Sequence, residues 1–465
     1  MSSGGNGIEI ADMSSFFCDK FNFKEYNNLM QFRSTRSKYP LVSYKDAVLK
    51  CLPDDNGLYV PDQAADFRQF FLHMNEKTSF NELVAAVAPS FFEGCLNPVS
   101  ASRVAQSAYD FQPELIRLDD SFSLLNLCNG PTGVFKDFGI AFISAILEEI
   151  LKKDEQAMIL AAASPETGVS MAHAFGGRKG ISLVLLYPSG QIRGLDTSSF
   201  VQNGGNIIPI QVKGTFDDCQ RLIVETVNDR EFSGRYNVTS ANSINPGRLF
   251  PQIFYYLYAF IQIKNQLSGD FIFSVPSGSF GSLIAGLYAW KFGMPVNGFI
   301  AAMNANNSMG DYIRGKPFVP STLVNTNSPS MDVSVPVNYE RLSFFYNESP
   351  AVMRNMVYPA SIDDELTLKT IEYVWKQYSV FIDPHTAVAF AAAQKIISGQ
   401  EWNGNAHTIV LATGHPARFA NIVKEAAGKA VDVPGSFFAL QKKCDPIALI
   451  PPQLDAFENA ISSCF

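Results

Sequence analysis

Past residue 121 the chain alternates short apolar runs with segments whose apolar residues return every three or four positions. Ala157–Ala163, Ser182–Tyr187, Ile207–Val212, Asp270–Val275 and His407–Thr413 are largely apolar stretches of strand length, with helical segments between them. Strands apolar on both sides, alternating with helices, predict a parallel sheet covered on both faces. Ligands in such folds bind beyond the carboxyl ends of the strands.

The strongest helical pattern begins at Lys136. Phe138, Phe142, Ile146 and Ile150 recur every four residues beside a second row of Ile143, Leu147 and Leu151, a stripe wide enough to predict a buried helix. Ahead of the alternating region, Arg33–Ser37, Tyr44–Leu52 and Asp54–Pro61 predict an extended entry, a short helix and a turn into a second extended piece. Mixed helices and turns are expected over 62–120. Residues 1–30 are polar and Gly/Ser-rich, and predict a tail. The expected division is a tail (1–30), an N-terminal mixed α/β segment (31–120), a main region (121–430) with a smaller subdomain around 155–240, and a C-terminal extension (431–465).

Composition narrows the function. A hydrophobic content of 47% fits a soluble globular enzyme, and 36 Lys and Arg against 44 Asp and Glu give a formal charge of -8 with no basic block, which argues against nucleic acid as a partner. No apolar run reaches the ~18 residues of a membrane span, and no positively charged leader precedes Lys20. Seven cysteines without a Cys-x-x-Cys pair point to a reducing cytoplasm, and five histidines without a ligand spacing give no metal site. A monomer and a homodimer both fit the sequence.

Candidate chemistry gathers in four stretches. In Asn129-Gly-Pro-Thr-Gly-Val-Phe-Lys-Asp-Phe-Gly139, Lys136 stands at the mouth of the predicted helix. Poor hydration and the positive end of a helix both favour the neutral amine that a Schiff base requires, whereas an ordinary first-turn lysine would only pack its stem and reach water. Ser277, Gly278, Ser279, Phe280 and Gly281 follow an apolar run and lead into a helix, the layout of a phosphate cradle. The cradle lacks the lysine of a nucleoside-triphosphate loop and the glycine spacing of a dinucleotide loop. A reactive lysine with a phosphate cradle points to pyridoxal phosphate. Ser164, Glu166 and Thr167 form a second candidate anion turn or a simple helix cap ahead of a helix expected over Val169–Phe175, and Thr239–Arg248, with Asn242, Ser243, Asn245 and Arg248, a third, or simple turn and cap chemistry, ahead of a helix expected over Leu249–Gln266.

These stretches resemble the threonine synthase family in order and wording from about residue 32 to 430. Phe32-Arg-Ser-Thr-Arg36 with Asn56-Gly-Leu-Tyr-Val-Pro61 is similar to its N-terminal signature, and Gly130–Gly139 to its cofactor-lysine segment. Ser240–Asn245 with Arg248, Pro276–Gly281, Asn304-Ala-Asn306, Ser328–Asp332, Asp383–Val388 and Leu411–Phe419 are similar to later motifs. The resemblance implies a fold-type II α/β enzyme with parallel sheets in a large and a small catalytic domain, which turns O-phosphohomoserine and water into threonine and phosphate. It implies Lys136 as the cofactor lysine and proton carrier, Ser277–Gly281 as the cofactor-phosphate loop, and Thr413 against the pyridine nitrogen. Ser164, Glu166 and Thr167 fall at the substrate carboxylate, and Asn242, Ser243, Asn245 and Arg248 at the substrate phosphate.

The chain departs from the family pattern at several positions. Asn129 stands where a histidine is usual, Ala163-Ser-Pro-Glu-Thr-Gly168 replaces Thr-Ser-Gly-Asp-Thr-Gly, and Ser279 and Ser282 replace asparagines. Two other readings accompany the first: a lyase of O-phosphothreonine or a related phosphorylated amino acid, and a cofactor-binding protein without turnover.

Overall fold

The computed structural model describes residues 30–91, 96–151, 154–189, 200–399, 402, 406–435, 437 and 445–464, apart from the side chains of Pro165 and Glu166. The expected tail lies outside these residues, except for Met30. Strands β1 (Gln31–Ser34), β2 (Val42–Ser43) and β3 (Tyr59–Pro61) form an antiparallel sheet in the order β2-β1-β3, with Phe32 opposite both Val42 and Pro61. Ser43 caps the helix Tyr44–Lys50 by accepting from the Asp46 N–H.

Two further sheets carry the α/β architecture. After β4 (Glu114–Arg117) and β5 (Phe122–Asn126), the smaller sheet takes β6 (Ala157–Ala162), β7 (Ile181–Pro188), β8 (Ile207–Val212) and β9 (Val238–Ser240). The larger adds β10 (Asp270–Pro276), β11 (Gly298–Met303), β12 (Val357–Ser361) and β13 (Ala406–Ala412), and β14 (Ala448–Ile450) returns to the smaller. The orders are β12-β11-β10-β13-β5-β4 and β14-β8-β7-β6-β9, parallel throughout except for the antiparallel pair β4–β5. The five expected strands are present, with ends moved by one residue at most.

Several elements differ from expectation for local reasons. The single helix expected over Leu249–Gln266 is divided into Pro246–Leu249, a 3-10 turn at Phe250–Gln252, the helix Ile253–Ile263 and a second 3-10 turn at Lys264–Gln266. Pro251 supplies no N–H to an α-helical ladder, and the chain tightens there. The helix expected from Val169 starts earlier, at Pro165, because proline suits a first helical position. β14 pairs with β8, and Phe457 and Ile461 of the helix Leu454–Ser462 enter the core of the smaller sheet.

The lysine helix, Lys136–Ile150, is buried on nearly every side, as its double apolar stripe predicts. Its neighbours are the helices of residues 80–108, the helix Pro165–Phe175 and the short helix Pro246–Leu249. Among the described residues, no helix is long and apolar enough to cross a membrane, no cluster of three or more His, Cys, Asp or Glu could hold a metal, and Cys51, Cys128, Cys219 and Cys464 are free thiols.

Candidate active site

Lys136 is the first residue of its helix, and Phe135 ahead of it offers no side-chain cap. The loop that delivers it is tied to the carboxyl end of β13. Leu127 N–H donates to the Ala412 carbonyl (3.0 Å), Phe135 N–H to Thr413 (3.0 Å), and His415 N–H to Gly133 (2.8 Å). Val134 and Gly414 complete this bridge, so backbone bonds fix Lys136 and Thr413 relative to one another.

Asp137 closes the loop from behind. Its buried carboxylate accepts from Thr132 N–H (2.9 Å), Thr132 Oγ1 (2.7 Å) and Ser170 Oγ, which joins the loop to the Pro165–Phe175 helix. Burial pushes the Asp137 carboxyl above the usual carboxylate range, against hydrogen bonds that pull it down. A Cβ on Gly130 would lie 2.5 Å from Asp137 Oδ2, so the loop closes only over glycine.

Facing Lys136, β10 runs through Ser277–Phe280 into the helix Gly281–Lys291. Phe280 sits in the left-handed region (φ +63), an unfavourable backbone for a bulky residue, and it turns the chain sharply into the helix. That helix has no side-chain cap and no acidic residue in its first turn. Its first N–H groups are therefore open to an anion. Gly278 lies beneath the Ser330–Met331 backbone, where a Cβ would come within 2.7 Å of Met331 Cα. Ser282 accepts or donates at Tyr255 (2.7 Å) and Tyr256 (3.0 Å), which anchor the start of the helix to the core.

One cavity takes its walls from Lys136, Gly278–Ser282, Ser330, Met331, His385, Thr413 and Gly414. Of the expected cofactor residues, Ser277 alone is absent from the lining; its hydroxyl turns back to donate to the Val275 carbonyl (2.8 Å). The Thr413 side chain has no hydrogen-bond partner among the described residues. His385 was not expected here as a site residue. Its Nδ1 lies 2.6 Å from the buried Asp383, and its Nε2 accepts from Ser330 N–H (3.1 Å), which holds the cavity roof. The sequence signal was Asp383-Pro-His-Thr386, a helix cap with a histidine in its first turn.

The expected substrate residues surround this cavity without lining it. Ser164 caps its own helix, accepting from Thr167 N–H (3.3 Å) and meeting Thr167 Oγ1 (2.9 Å); the Glu166 side chain lies outside the described residues. Asn242 clasps both backbone groups of Ala162 (2.9 and 3.0 Å), joining the ends of β6 and β9. Asn245 is fully buried and bonds Val48, Thr239, Ser240 and Gly247. Ser243 lies at the edge of the cradle, its Cβ 3.9 Å from where a Gly281 Cβ would stand. Arg248 packs on the lysine helix at Gly139, one turn beyond Lys136, and among the described residues only Ala241 O (2.9 Å) accepts a hydrogen bond from its side chain. Burial pulls its guanidinium down to about 10, and no carboxylate among the described residues offsets that burial.

These residues fit pyridoxal phosphate. The uncapped helix at Gly281 suits its phosphate, Lys136 its aldehyde, and the Thr413 hydroxyl its ring nitrogen. The family model described as "Pyridoxal-phosphate dependent enzyme" matches residues 119–414, "Threonine synthase N terminus" residues 31–109, and "Threonine synthase, C-terminal" residues 386–461. Threonine synthase of Escherichia coli is 33% identical over 84% of this chain and 90% of its own length, and that of Serratia marcescens 32% over the same shares. The crystal structure of the Escherichia coli enzyme covers 93% of this chain and all of its own at 31% identity, with a TM-score of 0.83. A PLP-bound threonine synthase from Brucella melitensis covers 94% of this chain and 99% of its own at 28% identity and a TM-score of 0.82. Fold, cavity and likeness converge on one assignment: the chain belongs to the threonine synthase family of pyridoxal-phosphate-dependent enzymes.

Proposed function

We propose that this protein is a threonine synthase, converting O-phospho-L-homoserine and water into L-threonine and phosphate. The observation that carries the reading is one cavity shared by Lys136, an uncapped helix N-terminus at Gly281 and Thr413, whose hydroxyl has no hydrogen-bond partner among the described residues. Bound pyridoxal phosphate supplies the electron sink that stabilises negative charge on the carbons beside the substrate nitrogen.

The residues then have distinct tasks. Product differs from substrate by a lost phosphate and a gained proton at Cγ, and a new hydroxyl at Cβ. Protons must therefore move among Cα, Cβ and Cγ, and the Lys136 amine is the group that carries them. Backbone N–H groups at Gly281 hold the cofactor phosphate. Thr413 holds the ring nitrogen through a hydroxyl, which does not keep that nitrogen protonated as a carboxylate would. Arg248 is assigned to the phosphate that leaves the substrate, and the turn at Ser164 and Thr167, with Glu166, to its carboxylate. Asn242, Ser243 and Asn245 shape the wall beside that phosphate.

The reading as a lyase of O-phosphothreonine draws on one feature. Pro165 occupies the first helical position and brings no N–H to the carboxylate turn. The substrate is in either case a small phosphorylated amino acid, and the free, widely spaced thiols support a cytoplasmic location. Incubating the protein with O-phosphohomoserine, and separately with O-phosphothreonine, decides the matter. Phosphate and threonine from the first substrate are expected; a 2-oxo acid from the second, with the first left intact, overturns the proposal.

A further inference from the structure

Two fully buried side chains near the cavity have no part in the chemistry above. Asn338 and Arg341 open the helix Tyr339–Glu348, Asn338 just ahead of it and Arg341 in its first turn, and both are 0% exposed. Arg341 donates through Nε to Tyr59 O (3.1 Å), through Nη1 to Ser243 O (2.8 Å) and Asn338 Oδ1 (2.7 Å), and through Nη2 to Ile244 O (2.6 Å). Every acceptor is neutral, and burial pulls the guanidinium down to about 10. Burying a cation whose hydrogen-bond acceptors are all neutral, with Glu340 acting on it only as a nearby charge, is costly, so the arrangement invites a reason beyond folding.

The geometry around Asn338 supplies one. Because its Oδ1 accepts from Arg341, the amide can face only one way, and Nδ2 points at Ser279 O (3.2 Å) and Ser243 Oγ (3.4 Å). The Asn338 backbone N–H adds a second bond to Ser279 O (3.3 Å). One amide therefore spans the cofactor-phosphate loop and the Ser243 turn beside the substrate-phosphate wall. The helix itself is held by the N-terminal sheet region, where Thr35 and Arg36 bond Glu340 and Tyr59 bonds Arg341.

We infer that Asn338, oriented by Arg341, is a positioning residue that sets the spacing between the cofactor-phosphate loop and the substrate-phosphate wall, and so selects for the phosphate end of the substrate. The inference rests on the threonine synthase reading for the identity of the second phosphate. A role confined to folding would loosen every ligand alike, whereas a spacing role weakens the phosphate product and spares the amino acid product.

The test uses holoenzyme carrying Asn338→Ala and, separately, Arg341→Lys. Inorganic phosphate affinity is measured by calorimetry and L-threonine affinity by the change in cofactor absorbance, with melting temperature recorded for each variant. Asn338→Ala is expected to weaken inorganic phosphate at least tenfold while L-threonine affinity stays within threefold. Arg341→Lys, which keeps the charge but loses the fork that orients the amide, should move the two constants in the same unequal way. Both affinities are read on the folded holoenzyme, so a lowered melting temperature does not alter their ratio. Equal weakening of the two products, or no change in either, overturns the inference. Neither measurement needs turnover, so an inactive wild-type protein would sink the reading of function while the ratio of affinities still decides the role of Asn338.

Discussion

The helix ends at Gly281 and at Asn245 both follow a strand and a polar turn, yet they use their polar groups in opposite ways. At Asn245 the amide caps its own helix and ties Val48, Thr239 and Ser240, so a run rich in amides and hydroxyls is largely occupied with its own backbone. At Gly281 the Ser277 hydroxyl of the loop is turned back to Val275, and the helix is left uncapped. The density of polar side chains thus marks a well-made turn. What marks an anion site is a helix end left open, with glycine or a strained residue where the chain must come close.

Substitutions around the two ends test that distinction. Lys136→Ala removes the group facing the open end, and turnover should fall by at least about three orders of magnitude with loss of the yellow colour. Borohydride reduction of the wild type followed by peptide mapping should mark Lys136, and a label on another lysine would break the assignment.

Gly278→Ala sets a Cβ 2.7 Å from Met331 Cα. Overpacking of about 1–3 kcal/mol should lower cofactor affinity by roughly tenfold to a hundredfold, read by titrating the apoprotein. Asn245→Ala is the counterpart at the closed end. It should cost about 2 kcal/mol or more in stability, from a lost cap and stranded buried groups, with cofactor affinity held. Equal effects of the two on cofactor affinity would erase the distinction between the ends.

Arg248→Lys keeps a cation beside Gly139 but loses the planar fork. KM for O-phosphohomoserine should rise about tenfold, the colour persisting. Loss of colour with unchanged kinetics would instead place Arg248 on the cofactor.

The smallest effect concerns Asp137. Its folded carboxyl is raised by burial, so the folded state holds a proton that the unfolded state gives up, and stability falls as pH climbs from the ordinary carboxylate value through the raised one. Asp137→Asn should flatten this part of the denaturant midpoint against pH profile. At neutral pH the variant also loses an acceptor for Thr132 or Ser170, and an unaltered slope would refute the electrostatic account.

The alternating strands and the lysine helix were legible because their apolar periods are long and uninterrupted. Lys136 and the cradle were legible because glycine and a helix start are written locally. The β4–β5 hairpin was not, since Glu114–Arg117 is a half-exposed edge strand whose few apolar residues resemble turn sequence. His385 and Arg341 were missed for a different reason. The local cap at Asp383 marks a helix start but not a site, and the contacts that bring the two residues to the cavity and its loops lie 55 residues away at Ser330 and 282 residues away at Tyr59, separations that no local pattern announces. The break at Pro251 was visible as a proline, and the apolar residues on either side of it concealed its effect.

The strand β14 has a consequence for how the chain is made. Among the described residues, Ile210–Val212 of β8 finds its edge partner only in Ala448–Ile450, near their end. While the ribosome is still extending the chain between them, the growing protein exposes the unpaired N–H and C=O groups of a finished-looking sheet, a template for other nascent chains. A ribosome that stalls before residue 448 releases a product with most of its cavity residues already synthesised and one adhesive edge still uncovered.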